Sequence, residues 1–202
     1  MTIEKGQPWG APGRLPADGV VARTDGEARA AVEAARRAGA PVPTIGLLGG
    51  DLCRTLGGTG DEARLRSADA VTFPVDLGSV LVDGRSHWFV AHLVARNRWW
   101  THTWLAMNAQ WLGDLNLAPR GHPDDGVLDT FDARLTPGDL WQVRARARHG
   151  AHLPHPRIGE RRVSALQVTF ERPRRLWLDG EAVGTVRSLS VRLEPDAVHV
   201  VV

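Results

Sequence analysis

The sequence predicts an α+β protein that is mostly β, in which a small α/β unit precedes a β-sandwich. The early part of the chain places a short apolar run, an Ala-rich segment and a second apolar run in succession, which is the order of a β-α-β unit. From about residue 69, short apolar runs alternate with Gly, Pro and Asp turns, as in antiparallel sandwiches or barrels. We therefore assign residues 1–66 to the α/β unit and residues 67–202 to the sandwich.

The elements of the α/β unit follow from local patterns. Residues 1–18 are rich in Gly and Pro and should form an irregular lead-in. The run "VVA" at 20–22 predicts a strand, residues 25–38 predict a helix, and residues 44–48 predict a second strand. The stretch "GGDLCRTLG" then predicts a glycine turn that leads into a short helix.

The second part of the chain reads as a series of strands. The runs that predict them are "AVTFPVDLGSVLVDG", "HWFVAHLVAR", "HTWLAMNAQWL", "VLDTFDARL", "ALQVTF", "RLWLDGEAVG", "SLSVRLE" and "AVHVVV". One helix is expected among them, at 137–148, where Leu140 and Val143 share a face. Apolar strands such as "AVHVVV" need a facing sheet to bury their side chains, which favours a sandwich.

Composition narrows the class of protein. The formal net charge is only +2, so nucleic-acid binding is not expected. A single cysteine, Cys53, excludes an internal disulfide and suits a reducing cytoplasm. Neither an export signal nor an apolar stretch of membrane-spanning length is visible, so we expect a cytoplasmic protein. The eight tryptophans are expected to anchor the core.

Acidic turns stand out in the β-rich part. Asp76 lies in "PVDLG", Asp125 and Asp129 lie in "DDGVLD", and Asp179 and Glu181 lie in "LDGE". Each of these turns taken alone is typical of ordinary Asp-Gly turns. If they converge on one pocket, such carboxylates can bind Mg²⁺ and supply a general base, as phosphorylation of a hydroxyl requires.

Two arginine-rich strips and a histidine-rich loop have simpler interpretations beside functional ones. The strips "RARARHG" and "RPRR" would attract anionic lipid headgroups, although solvated arginine faces are common. In "HGAHLPHP", three histidines invite a zinc site, but the two prolines prevent a helix that would align them. We expect a hydrogen-bonded loop there.

Several stretches taken in order resemble the bacterial diacylglycerol kinase and lipid kinase family, which is related in fold to NAD kinases. They are "LLGGDLCRTLGG", "FPVDLGSVLVDG", "MNAQWLGDLNLAPRGHPDDGVLDTFDARL", "HGAHLPHPRI" and "LDGEAVGTVRSLSVRLEPDAVHVVV". The most specific parts of the resemblance are the spaced motif that begins at Asn108 and ends in "DDGVLD", and the "DGE" near the end of the sequence. The resemblance implies a small nucleotide-binding domain followed by a β-sandwich, with ATP and Mg²⁺ as cofactors.

The resemblance also implies roles for particular residues. Nucleotide contacts would come from Asp25 and Gly26 in "RTDGE" and from Gly49, Gly50 and Asp51 in "LLGGD".

Catalytic roles fall on Glu181 as base, with Asp179 and Asp125, and metal-linked roles fall on Asp125 and Asp129.

The nucleotide motifs are eroded in this sequence. The family's Gly-Gly-Asp-Gly-Thr turn keeps Asp25 and Gly26, but Arg23 and Thr24 stand at its leading glycines. Their β-carbons crowd an approaching phosphate, and each lost charge-assisted hydrogen bond costs about 1.5–3 kcal/mol. We also expect the nucleotide unit to be shortened at its N-terminal side, since only about 19 residues precede Val20. ATP and Mg²⁺ binding should therefore be weak or lost.

Three functions stay open at this point. The first is a non-catalytic or weakly active relative that binds a lipid, a nucleotide or a protein. The second is an active ATP-dependent lipid kinase that transfers the γ-phosphate to a lipid hydroxyl. The third is a different small-molecule enzyme that uses a cleft between Asp125 and Glu181. A lipid or an anionic membrane surface is the expected partner, and exposed sheet edges in a shortened α/β unit predict a homodimer.

Overall fold

A computed structural model describes residues 9–202 and shows a mostly β fold with one α/β unit. The elements in chain order are β1 (Ala11–Pro12), β2 (Val20–Ala22), α1 (Asp25–Ala38), β3 (Ile45–Leu47), α2 (Gly50–Thr55), α3 (Glu62–Leu65), β4 (Val71–Val82), β5 (Arg85–Phe89), β6 (His92–Arg96), β7 (His102–Met107), β8 (Trp111–Leu112), β9 (Leu115–Asn116), β10 (Leu128–Arg134), α4 (Pro137–Ala147), β11 (Ile158–Val163), β12 (Ala165–Leu178) and β13 (Glu181–Val201).

The α/β unit forms as the local patterns predict. Strands β2 and β3 are parallel neighbours, and helix α1 makes the crossover between them. The helix begins where the Thr24 hydroxyl accepts the N–H of Glu27 at 3.1 Å, and it ends at Gly39, whose φ is 64°. A threonine cap and a left-handed glycine are the usual helix boundary signals. The predicted helix at 25–38 is confirmed.

The antiparallel strands form a sandwich-like arrangement, which confirms the predicted fold class. They pair in the order β1-β4-β13-β12-β6-β7-β10-β11. The long strands β12 and β13 contain register shifts, after Thr169 and after Glu194, and such irregularities let a strand bend. One buried core collects side chains from β4, β5, β6, β7, β12 and β13, including Val80, Phe89 and Leu176.

The α/β unit is continuous with this sheet. Strand β3 pairs in parallel with the end of β13, with Ile45 opposite Val200. A second core joins Val32 and Ile45 to Val75 and Val200. We predicted a unit that packs on the sandwich, and the structure shows that the two parts also share hydrogen bonds and a core.

Some local features differ from the sequence predictions. The predicted irregular lead-in at 1–18 lies partly outside the described residues, and within it β1 pairs with β4 through Ala11 and Thr72. The short helix α3 was not predicted. Helix α4 ends one residue earlier than the predicted 137–148 segment.

The expectation that tryptophans anchor the core holds for half of the eight, because Trp104 is buried in it and Trp9, Trp88 and Trp177 are partly buried against it. Within residues 9–202, Trp104 is the one tryptophan that is buried. Trp99 and Trp141 are 68% and 76% exposed, and Trp100 is 39% exposed. Most of the buried volume comes from Leu, Val, Ile and Phe, and the exposed indoles need another explanation.

Candidate functional site

Asp25 lies at the first turn of α1 and reaches the start of α2. Its carboxylate accepts the backbone N–H of Asp51 at 2.6 Å and that of Leu52 at 3.1 Å. Gly50 has a φ of 95°, and a β-carbon there would overlap the Asp25 carboxylate. Gly49 precedes it, and a β-carbon on Gly49 would lie 2.5 Å from the carbonyl oxygen of Arg23. The two glycines therefore let the α2 turn approach both the strand end and Asp25.

Gly26 provides room for Glu181. A β-carbon at Gly26 would lie 2.8 Å from Oε1 of Glu181. The Glu181 carboxylate forms an ion pair with Arg29 of the same helix, and Arg29 also binds Glu33 at 3.0 Å. Arg29 is buried, whereas the Glu181 side chain is 61% exposed. The predicted base is thus held against α1 by a guanidinium.

Asp51 forms an ion pair with a buried histidine. Its Oδ2 lies 2.9 Å from Nε2 of His92, and its Oδ1 accepts the N–H of Gly113 at 2.9 Å. Burial lowers the pKa of His92, but the Asp51 hydrogen bond and the charges of Asp179, Asp51 and Asp25 outweigh burial, so the pKa lies above the ordinary value. The pKa of Asp51 is correspondingly lowered, although burial opposes the shift. The charged form of the pair is favoured.

Asp179 is buried and fixes the connection between β5 and β6. Its carboxylate accepts the backbone N–H groups of Val90, Ala91 and His92 at 2.9–3.0 Å. Its own N–H donates to the carbonyl oxygen of His92 at 3.0 Å. Burial raises the pKa of Asp179 to about 6, and the charge of His92 counteracts part of that rise. We call the set of Asp25, Asp51, His92, Asp179 and Glu181 the acidic cluster.

Asp125 and Asp129 lie in a different place and share an arginine. Arg162 of β11 forms an ion pair with Asp125, and its Nε lies 3.2 Å from Oδ1 of Asp129. Burial raises the pKa of Asp129 to about 6, although the Arg162 charge lowers it. The neighbouring carboxylate of Asp76 accepts the N–H of Gly126 at 2.8 Å. We call Asp125, Asp129 and Arg162 the Arg162 cluster.

The structure therefore shows no direct contact between the two sides of the predicted cleft, Asp125 and Glu181. Among the described residues, no hydrogen bond or ion pair joins Asp125 or Asp129 to Asp179 or Glu181. Buried Asn108 lies between the two clusters, because its side-chain NH₂ donates to the carbonyl oxygens of Asp76 and Val90 at 2.8 and 2.9 Å. The sequence order of acidic turns did not reveal this division.

An apolar cavity of about 580 Å³ adjoins the acidic cluster. It lies between α4, the β8–β9 hairpin and strands β7 and β10, and one of its lining residues is Gly113, the donor to Asp51. The lining residues are Trp100, Thr103, Leu105, Leu112, Gly113, Asp114, Leu115, Leu117, Phe131, Ala133, Leu135, Pro137, Leu140, Trp141, Val143, Arg144, Ala147, His152 and Ile158. Burial lowers the pKa of His152, and its Nδ1 has no hydrogen-bond partner. The cavity is of the size and character that suit small apolar ligands.

Comparison with known proteins agrees with the fold. Residues 70–202 match the family profile described as YegS C-terminal NAD kinase beta sandwich-like domain. The chain belongs to this family. A search of curated protein sequences finds no match. The YegS-type assignment confirms the resemblance to lipid kinase-like proteins that the sequence motifs predict.

Solved structures from Bacillus anthracis str. Sterne share the fold. A proposed diacylglycerol kinase gives a TM-score of 0.66 at 15% identity, with 91% of this chain and 76% of that chain covered. A diacylglycerol kinase gives a TM-score of 0.58 at 16% identity, with 79% of this chain and 66% of that chain covered. At this level of identity the likeness concerns the fold.

The turns to which the sequence resemblance assigns phosphate contacts are occupied by carboxylates of the chain itself. Asp25 accepts the N–H groups that open α2, and Glu181 lies against Gly26. A phosphate needs such N–H groups as donors, and here they already have an anionic partner. The residues therefore do not fit a phosphate cradle.

The Arg162 cluster does not fit a metal ion, and the acidic cluster would bind one only in competition with a proton. The guanidinium of Arg162 binds both Asp125 and Asp129, so a cation already neutralises them. In the acidic cluster, ligand atoms of Asp25, Asp51 and His92 lie within 4.8 Å of one another. The pairing with Asp51 favours the protonated form of His92, so a metal ion would bind there only by displacing that proton.

Sequence reasoning missed the basic partners in both clusters. His92 stands in the apolar run "WFVAHLVAR" and Arg162 in "GERRV". For His92, the available signal was a histidine within an otherwise apolar strand, because a histidine that is buried there needs a polar partner. Arg162 gave no such signal, since "RR" in an exposed strand is ordinary.

Within residues 9–202, no helix is long and apolar enough to cross a membrane.

Proposed function

We propose that this chain is a lipid-binding, non-catalytic or weakly active relative of the diacylglycerol kinases. The observation that carries the proposal is the apolar cavity next to the acidic cluster. A diacylglycerol-like molecule has acyl chains that suit the leucine, phenylalanine and valine lining, and hydroxyl or ester oxygens that suit a polar edge. The Gly113 to Asp51 hydrogen bond joins these two parts of the site.

The contacts of the nucleotide motifs support a low or absent kinase activity. ATP binding would have to break the bonds from the α2 N–H groups to Asp25 and bring a polyanion beside Asp25, Asp51 and Glu181. Both changes cost free energy, since like charges repel and buried hydrogen bonds are lost. We expect calorimetry to detect no Mg-ATP binding tighter than about millimolar.

Lipid binding is tested with dioctanoylglycerol, a short-chain diacylglycerol that dissolves without vesicles. We expect it to raise the melting temperature of the protein, because a ligand that binds only the folded state stabilises it by mass action. Val143→Trp should abolish the shift by filling the cavity from α4. Gln142→Trp is the matched control, since Gln142 is exposed on the same helix and does not line the cavity. Equal shifts for both variants would contradict the proposal.

An active ATP-dependent lipid kinase is the second candidate. The observation that favours it is the Glu181 carboxylate, which is 61% exposed beside Gly26 and is held by Arg29, a position from which a general base can reach a substrate hydroxyl. Phosphate transfer from ATP to dioctanoylglycerol that disappears in Asp179→Asn and in Glu181→Gln would establish this function. It would also overturn our preference for a non-catalytic role.

A further inference from the structure

The turn between β6 and β7 holds two tryptophans at the surface in a fixed conformation. Trp100 adopts a φ of 61°, a left-handed conformation that is costly for a bulky residue. The Asn97 side chain donates to the Thr101 hydroxyl at 2.8 Å, and the Thr103 hydroxyl donates to the carbonyl oxygen of Trp100 at 3.0 Å. Arg96 lies between the rings of Trp100 and Trp177, 4.0 Å from each ring centre. The indoles are therefore presented by a braced turn.

This turn lies beside helix α4 at the opening of the cavity. The N–H of Leu135, just before α4, donates to the carbonyl oxygen of Thr101 at 2.7 Å. Trp100 and Trp141 both line the cavity and are both exposed, so the opening is bordered by indoles. Large exposed indoles next to an apolar opening are unfavourable in water and mark an interaction surface.

Arginine side chains lie around the same opening. Helix α4, which borders the cavity, carries Arg144 and Arg146 in its last turn, and Arg144 also lies 3.9 Å from Asp114. Arg98 stacks on Trp99 at 5.1 Å, and Arg144 lines the cavity. We call Arg98, Trp99, Trp100, Trp141 and Arg144 the Trp-Arg face.

We propose that the Trp-Arg face docks this protein onto the surface of an anionic phospholipid membrane, with the cavity opening toward the bilayer. Tryptophan favours the interface between headgroups and acyl chains, and arginine is attracted to anionic headgroups. An apolar cavity that opens between the indoles gives a lipid a route from the bilayer without passing through water. The proposal rests on the lipid-binding function proposed above and names the surface that delivers the lipid.

The test is co-sedimentation of the full chain with vesicles. We expect binding to vesicles of phosphatidylcholine with phosphatidylglycerol, and much weaker binding to phosphatidylcholine alone or at high salt. Trp99→Ser with Trp141→Ser should weaken binding roughly tenfold or more, because binding scales with the apolar area that enters the interface. Leu81→Ser is the matched control, since Leu81 is 48% exposed on β4 and does not line the cavity.

Charge reversal provides an independent arm. Arg98→Glu with Arg144→Glu should weaken binding roughly thirtyfold or more, since two basic residues that are attracted to an anionic surface become acidic residues that it repels. Arg85→Glu, at an exposed position of β5, is the control and should bind as the unmodified protein does. Equal binding to neutral and anionic vesicles, or full binding by both face variants, would overturn the proposal. Binding to a single-stranded oligonucleotide instead of vesicles would also overturn it.

The two proposals fail in distinguishable ways. Trp99 does not line the cavity, so if Trp99→Ser alone weakens vesicle binding but keeps the melting shift with dioctanoylglycerol, docking and lipid binding are both supported as separate steps. If the unmodified protein binds anionic vesicles but gives no shift with dioctanoylglycerol, docking stands and the cavity function fails. If it gives the shift but does not bind vesicles, the docking proposal is overturned alone.

Discussion

At the scale of single residues, Arg162 stands where the resemblance to lipid kinases implies a metal ion. Its guanidinium binds Asp125 and Asp129 together, so two carboxylates are neutralised without a cation from solution. Asp129 is buried, and an uncompensated charge there would be costly. Arg162 therefore neutralises the two carboxylates, a role that the resemblance to lipid kinases assigns to Mg²⁺.

Replacing Arg162 by Met should destabilise the protein and create a response to divalent cations. We expect the free energy of unfolding to fall by about 1–3 kcal/mol, less than for a fully buried pair, because Arg162 is half-exposed. Added Ca²⁺ or Mg²⁺ should restore part of the loss in urea titrations. Arg161→Met, at the exposed neighbouring position, is the control. A variant that is destabilised but indifferent to both cations would contradict this interpretation.

The ion pair of His92 and Asp51 should make stability depend on pH. The pKa of His92 is raised in the folded protein above its ordinary value of 6.5, so its contribution is full below pH 6.5 and is lost as the pH rises through the folded value. His92→Gln should therefore cost about 1–3 kcal/mol near pH 6 and less at alkaline pH. Urea titrations of the unmodified protein and of the variant at each pH measure this difference. A constant difference across the range would refute the assignment.

At the scale of elements, α4 is an 11-residue helix with a single buried residue. Ala147 is its one buried residue, and the helix covers the cavity. Its first turn is closed by a capping box, in which Thr136 and Asp139 satisfy each other's backbone N–H groups, and Arg157 binds Asp139 at 2.8 Å. Helix α4 depends on this cap more than a well-buried helix would.

Removing the cap should loosen α4 without unfolding the sheet. Thr136→Ala is expected to cost about 1 kcal/mol of local stability, which should speed amide hydrogen exchange in α4 and leave β12 and β13 protected. Mass spectrometry of exchanged peptides measures both. Thr55→Ala, which alters a hydroxyl in α2, is the control and should leave exchange in α4 unchanged. Equal acceleration throughout the chain would show that α4 is not an independent unit.

The elements were more predictable than the site. Helix α1 was predicted with its observed limits because its signals are local, from the Thr24 cap to Gly39. The acidic cluster depends on contacts between residues far apart, such as Asp25 with Leu52 and Arg29 with Glu181. No local pattern encodes which carboxylate meets which N–H group. Exposed tryptophans were mispredicted for a related reason, since composition does not state which side chains face water.

At the scale of the whole molecule, β2 leaves a sheet edge beside an alanine-rich face of α1. Among the described strands, β2 pairs with β3 alone, and Val20 is 38% exposed. Such edges invite pairing with another chain. Self-association stays a prediction of the sequence, and this edge is where we expect it.

Light scattering at high micromolar concentration should report a dimer. A twofold contact through β2 would satisfy its free backbone groups. Val20→Lys should shift the mass toward the monomer, because charged residues blunt an edge, while Leu81→Lys on β4 should not. A monomer at every concentration for the unmodified chain would count against the dimer.

The pairing of β3 with the end of β13 also constrains the order of folding. Ile45 pairs with Val200, so the early α/β unit acquires one of its neighbouring strands only after almost all of the chain has been synthesised. Contacts between such distant residues close slowly, and until then the edge of β3 is open to other chains. While the chain is being synthesised, the acidic cluster therefore lacks Asp179 and Glu181. The edge of β3 stays unprotected until the end of β13 has left the ribosome.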